Sequence, residues 1–128
     1  MTEADIVNSL IGIPYKRLGR DESGLDCWGL VMLCTERLGL RRPPDPMIAC
    51  DNRLAVSNAI SNGIALEGFE CERKDYCIVF SGGGRRSFHG GFSIFGGILH
   101  AKKVGGVQFS DWRHPDFVRS RCYDWSAR

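Results

Sequence analysis

The chain has 128 residues and a mass of 14.3 kDa, with 43% hydrophobic residues, 25% charged residues and a formal net charge of +2. One globular domain, residues 1–128, is the expectation; two independent catalytic domains, intrinsic disorder and collagen-like repeats are excluded. The basic residues (Lys16, Arg17, Arg41, Arg42, Arg85, Arg86, Lys102, Lys103) are scattered, which predicts no nucleic-acid partner, and no apolar run reaches the roughly 18 residues of a membrane helix.

In chain order, residues 4–11 place apolar side chains at 6, 7, 10 and 11, one face of a short helix that Gly12 ends. The stretch from Ile13 to Gly24 is rich in glycine and charge and reads as a surface loop. A second helix is predicted from Cys27, because Asp26 is a good N-cap and apolar residues recur at 30, 31, 33, 34 and 38 before Gly39. After the Arg41-Arg42-Pro43-Pro44-Asp45-Pro46 breaker, residues 51–62 predict a third helix ended by Gly63.

From Tyr76 the pattern turns to short β-type runs: 77–80, 88–95, 98–102, 107–109 and 117–123, separated by glycine clusters. Helices first and strands afterwards give an α+β class with N-terminal helices packed on a small, curved antiparallel sheet. A Gly96-Gly97 turn would set Phe92 opposite Ala101 and Ser93 opposite His100.

Six cysteines (Cys27, Cys34, Cys50, Cys71, Cys77, Cys122) at irregular spacing, with no CxxC pair, predict neither paired disulfides nor a zinc site; most read as small buried hydrophobes. Cys27 departs from that reading. In the first turn of a capped helix, unpaired N–H groups and the macrodipole favour a thiolate and an oxyanion beside it. A cysteine nucleophile needs a base, and the chain has three histidines. His89 and His100 bracket one predicted hairpin and become neighbours if a bulge at Gly90-Gly91 offsets the strands, so that one imidazole takes the thiol proton while the other fixes its tautomer. His114, in the turn Asp111-Trp112-Arg113-His114-Pro115, receives no chemical role.

Gly12-Ile13-Pro14-Tyr15, then Gly24-Leu25-Asp26-Cys27-Trp28-Gly29-Leu30-Val31, then His89 to Phe95, then Ile98-Leu99-His100-Ala101 together resemble the NlpC-type papain-like cell-wall cysteine peptidases. The resemblance covers about residues 8 to 110 in the family's order. It implies a circularly permuted papain-like fold with Cys27 as nucleophile, His89 as base and His100 as the residue that orients it. It further implies Tyr15 at the oxyanion or amine end of the substrate, Asp26 holding the free amino terminus of a peptidoglycan stem peptide, and no metal or organic cofactor.

Three positions depart from the common pattern. Trp28 stands where secreted relatives have Ser and bears on amine-end specificity, Lys74-Asp75-Tyr76 replaces Gly-Asp, and Leu18-Gly19-Arg20 replaces Gly-Gly. The Asp-Cys-Trp-Gly-Leu-Val variant is similar to the phage tail-tip branch, including the tail assembly peptidases of lambda-like phages. That branch implies synthesis in the host cytosol without an export signal, incorporation into the tail beside tail-tip or hub proteins, and action on the bacterial wall. An alternative is a structural tail-tip component that docks through Trp28, Trp112 and Trp125.

Overall fold

The computed structural model describes residues 2–43, 45, 47, 69–81 and 90–124. The helix predicted over 51–62, His89 and Trp125 lie outside the described residues.

Helix α1 (Glu3–Leu10) starts in a capping box: the Asp5 N–H donates to Thr2 Oγ1 at 3.2 Å and the Thr2 N–H donates to Asp5 Oδ2 at 2.9 Å. It buries Ile6, Val7 and Leu10. Beyond it the chain pairs with the far edge of the sheet, the Gly12 N–H donating to the Val107 carbonyl at 2.9 Å and the Val107 N–H to that of Ile13 at 2.9 Å. The expected loop contains a small hairpin, β1 (Arg20–Asp21) against β2 (Gly24–Leu25), which leads directly into α2 (Cys27–Arg37). Helix α2 is buried from Cys27 to Thr35.

Strands β3 (Phe69–Cys71), β4 (Cys77–Ser81), β5 (Gly90–Ile94), β6 (Gly97–Lys102), β7 (Gly106–Ser110) and β8 (Ser120–Asp124) form one sheet in the order β3-β8-β4-β5-β6-β7. Every pairing in it is antiparallel. One face carries Ile78, Phe80, Phe92, Ile94, Leu99, Ala101, Val107 and Tyr123 and clusters with Leu10 of α1, Leu25 of β2, and Leu30 and Val31 of α2. Fully burying an apolar side chain of this size is worth roughly 1.5–3 kcal/mol, so this layer is the main source of cohesion.

The opposite face carries Cys77, Val79, Ile98 and Cys122, covered by Phe117 from the loop between β7 and β8. Arg73 secures that loop: its Nη2 donates to the Phe117 carbonyl at 3.2 Å and to that of Val118 at 2.7 Å, and its guanidinium lies 5.2 Å from the centroid of the Trp112 ring. Trp112 is therefore half-buried against this second cluster rather than displayed on the surface.

The β5–β6 register differs from expectation. Gly91 pairs with His100 and Ile94 with Gly97, so the turn is Phe95-Gly96. Both turn residues take positive φ, 54° and 76°, as a two-residue turn of this hand requires. Gly97 opens β6 at a point where no side chain fits, since a Cβ there would lie 2.5 Å from Phe109 Cζ and 2.8 Å from the Ser110 carbonyl oxygen. His100 thus lies opposite a residue only two positions from His89 in sequence, with continuous pairing from Gly90 to Ile94 in place of the expected bulge.

Candidate active site

Asp26 caps α2 from extended backbone (φ −93°, ψ −175°), its Oδ1 accepting from the Gly29 N–H at 2.8 Å. Arg20 Nη1 donates to the same oxygen at 2.6 Å. Arg20 also reaches Asp45, with Nε donating at 3.0 Å and Nη2 at 3.2 Å. Burial works against the Arg20 charge, yet the bonds to Asp45 and Asp26 outweigh it and raise its pKa above the ordinary value. Asp26 is fully buried, and its Oδ2 has no hydrogen-bond partner among the described residues. A carboxylate with one committed oxygen and one uncommitted oxygen thus stands immediately before Cys27.

Cys27 is the first residue of α2 and is 7% exposed. It is disulfide-bonded. Cys34, Cys71, Cys77 and Cys122 are free thiols, so its partner lies outside the described residues. This corrects the expectation that the cysteines are unpaired: irregular spacing says nothing about which sulfurs tertiary folding brings together. Burial pushes the Cys34 thiol up to about 12, as suits a core residue.

Tyr15 is held beside the same helix start. The segment around it forms a parallel bridge to Leu25, with the Leu25 N–H donating to the Pro14 carbonyl at 3.0 Å and the Lys16 N–H to that of Leu25 at 3.2 Å. Trp28 points into the core, 8% exposed, with its ring stacked on Phe80 at a centroid separation of 6.4 Å and 15° between planes. Tyr15, Asp26 and Cys27 therefore share the N-terminal end of α2, while the indole of Trp28 anchors that end to β4.

His100 is fully buried on β6. Its Nε2 lies 2.7 Å from Ser110 Oγ, the Phe117 ring meets it edge-on at 4.9 Å and 81°, and the His114 ring stands 5.6 Å away. His114 Nδ1 accepts from the Asp116 N–H at 3.1 Å. Sequence reasoning missed Ser110 and placed His114 in a turn without foreseeing its nearness to His100. Ser110 was accessible in principle, because a β6–β7 hairpin that pairs Ile98 with Ser110 sets residues 100 and 110 on one face. Among the described residues no group of three or more His, Cys, Asp or Glu side chains is arranged to hold a metal ion.

No protein-family model matches the sequence, and no curated protein matches it. Among solved structures the chain is similar to the NlpC/p60 domain of the peptidoglycan hydrolase SagA, a crystal structure, at 21% identity and a TM-score of 0.59 over 95% of this chain and 98% of that one. The chain therefore has the NlpC/p60 fold, the α+β papain-like class that the sequence resemblance implied.

Proposed function

We propose that this chain is a cell-wall amide hydrolase that cleaves peptidoglycan stem peptides through Cys27, His89 and His100. One observation carries the reading. In an NlpC/p60 fold, a cysteine occupies the first residue of a buried, carboxylate-capped helix, in a chain that also holds a histidine fixed on the adjoining sheet.

The chemistry follows from that position. The reactive form is the reduced one, so the Cys27 disulfide must first be opened by an external thiol. His89 takes the proton from the Cys27 thiol, and the sulfur attacks the amide carbonyl carbon. The oxyanion forms at the positive end of α2, where the helix dipole opposes its charge, with the Tyr15 hydroxyl as a further donor. His89 returns the proton to the departing amine, leaving a thioester on Cys27. Water, deprotonated by His89, then releases the acid and restores the thiol. His100 accepts from the other ring nitrogen of His89 and keeps it oriented, while Asp26 offers its uncommitted oxygen to the substrate's amino terminus. Trp28 bears on amine-end specificity by fixing the wall of the helix start.

The test is digestion of purified sacculi in the presence of a dithiol reductant, comparing the native chain with Cys27→Ala. Release of soluble muropeptides by the native chain and none by the variant is expected. Equal release by both removes Cys27 as nucleophile.

We also place this activity on a phage tail, in contact with tail-tip or hub proteins, on the strength of the Asp-Cys-Trp-Gly-Leu-Val variant. Co-sedimentation of the chain with assembled tails, and its absence from the free cytosolic fraction after assembly, is the expected outcome; a chain recovered only free of tails overturns this placement. The alternative of a purely docking role is less favoured, because Trp28 and Trp112 are engaged with Phe80 and Arg73.

A further inference from the structure

We propose that Ser110 is a positioning residue that holds His100 in the Nε2–H tautomer, leaving the Nδ1 lone pair as the acceptor that orients the catalytic base. The inference rests on the Cys27–His89–His100 reading and deepens it.

A neutral imidazole has one N–H and one lone pair, and only the lone pair can accept a proton donor from a neighbouring histidine. Which nitrogen is which is set by the partners the ring meets. In this fold Nε2 of His100 meets the Ser110 hydroxyl at 2.7 Å, and the residue is fully buried, so an N–H there needs an acceptor within the protein. Ser110 supplies it. The ring has little freedom to turn away: Phe117 packs edge-on at 4.9 Å, His114 lies 5.6 Å off, and the loop that carries both is tied down by Arg73. Ser110 itself is fixed on β7, paired with Ile98, two residues along β6 from His100 and on the same face. His114 Nδ1 is committed elsewhere, accepting from the Asp116 N–H.

Removing the hydroxyl leaves a buried ring nitrogen without its partner and frees the tautomer to exchange, at the expense of correctly oriented base. The experiment combines nitrogen-15 NMR of the imidazoles with steady-state kinetics on soluble muropeptides, for the reduced native chain, Ser110→Ala and Ser110→Thr. The native His100 signal should report the Nε2–H form. Ser110→Ala should show mixed tautomers and a kcat lower by about ten-fold at unchanged KM, and Ser110→Thr should recover both.

A native His100 in the Nδ1–H form overturns the proposal, as does a Ser110→Ala variant with native kcat and a native tautomer. A loss of activity in Ser110→Ala that Ser110→Thr leaves unrepaired also overturns it. If the native chain shows no Cys27-dependent hydrolysis, the functional reading fails instead, and the NMR arm still decides whether Ser110 sets the His100 tautomer.

Discussion

Gly29 packs directly beneath the carbonyl oxygen of Gly19, so closely that a Cβ on Gly29 would overlap that oxygen. The first turn of α2 is thus in backbone contact with the residue just before β1, and Cys27, 7% exposed, begins that turn. In an ordinary helix interior, exchange of glycine for alanine gains up to about 1 kcal/mol. Here the overlap reverses the sign. Gly29→Ala should destabilise the chain by about 1–3 kcal/mol, the usual range for overpacking, and urea unfolding midpoints will measure it. A variant as stable as the native chain would show that the contact yields without cost.

The oxidation state of Cys27 sets a second expectation. A sulfur held in a disulfide cannot attack a carbonyl, so the chain purified without reductant should be inactive on sacculi and should gain activity when a dithiol is added. Peptide mapping under non-reducing conditions should recover the Cys27 peptide cross-linked. Full activity in the untreated sample, with the cross-link intact, would contradict the assignment of Cys27 as nucleophile.

Cysteine reactivity should be graded by burial. Cys34 sits wholly inside α2 with its thiol pushed up to about 12, whereas Cys71 is half-buried. Iodoacetamide in mildly alkaline buffer should label Cys71 within the folded chain and leave Cys34 unmodified until denaturant is added. Mass spectrometry of the labelled peptides reads this out, and early labelling of Cys34 would mean that α2 opens locally at low cost.

The helix start was the most legible part of the sequence, because its cause is local: Asp26, a capping side chain, precedes an apolar period with a stop at Gly39. The hairpin carrying His100 was legible as an element but not in register. Gly96-Gly97 looks like the better turn by composition, yet Gly97 serves a different need, room for the Phe109 ring of β7, a contact between residues 12 apart. Strand β3 escaped notice because Phe69-Glu70-Cys71 has no alternation long enough to read, and its pairing with β8 is formed across half the chain. Ser110 and His114 belong to the same category. Neither residue type, alone on the sequence, signals that it will close around a buried imidazole, and only the β6–β7 register and the loop that follows bring them there.

The Asp26–Arg20–Asp45 chain of ion pairs gives a pH dependence whose sign can be worked out. The bond from Arg20 holds the Asp45 carboxyl below its ordinary 3.8, against a smaller opposing effect of burial. A depressed carboxyl pKa contributes stability that is present in full above the unfolded value and is lost as pH falls through the folded one. The native chain should therefore lose stability from this group only as pH drops below 3.8. Arg20→Met removes the cause. It also leaves the fully buried Asp26 carboxylate with the Gly29 N–H as its one remaining bond among the described residues, which costs about 3–5 kcal/mol at neutral pH by the usual penalty for breaking a buried pair. The variant's deficit should shrink on acidification, because the native chain loses its Asp45 contribution as pH falls. Thermal unfolding of both chains from neutral to acidic pH tests this. A deficit that is constant across the range would mean that Arg20 acts through packing of its stem rather than through its charge.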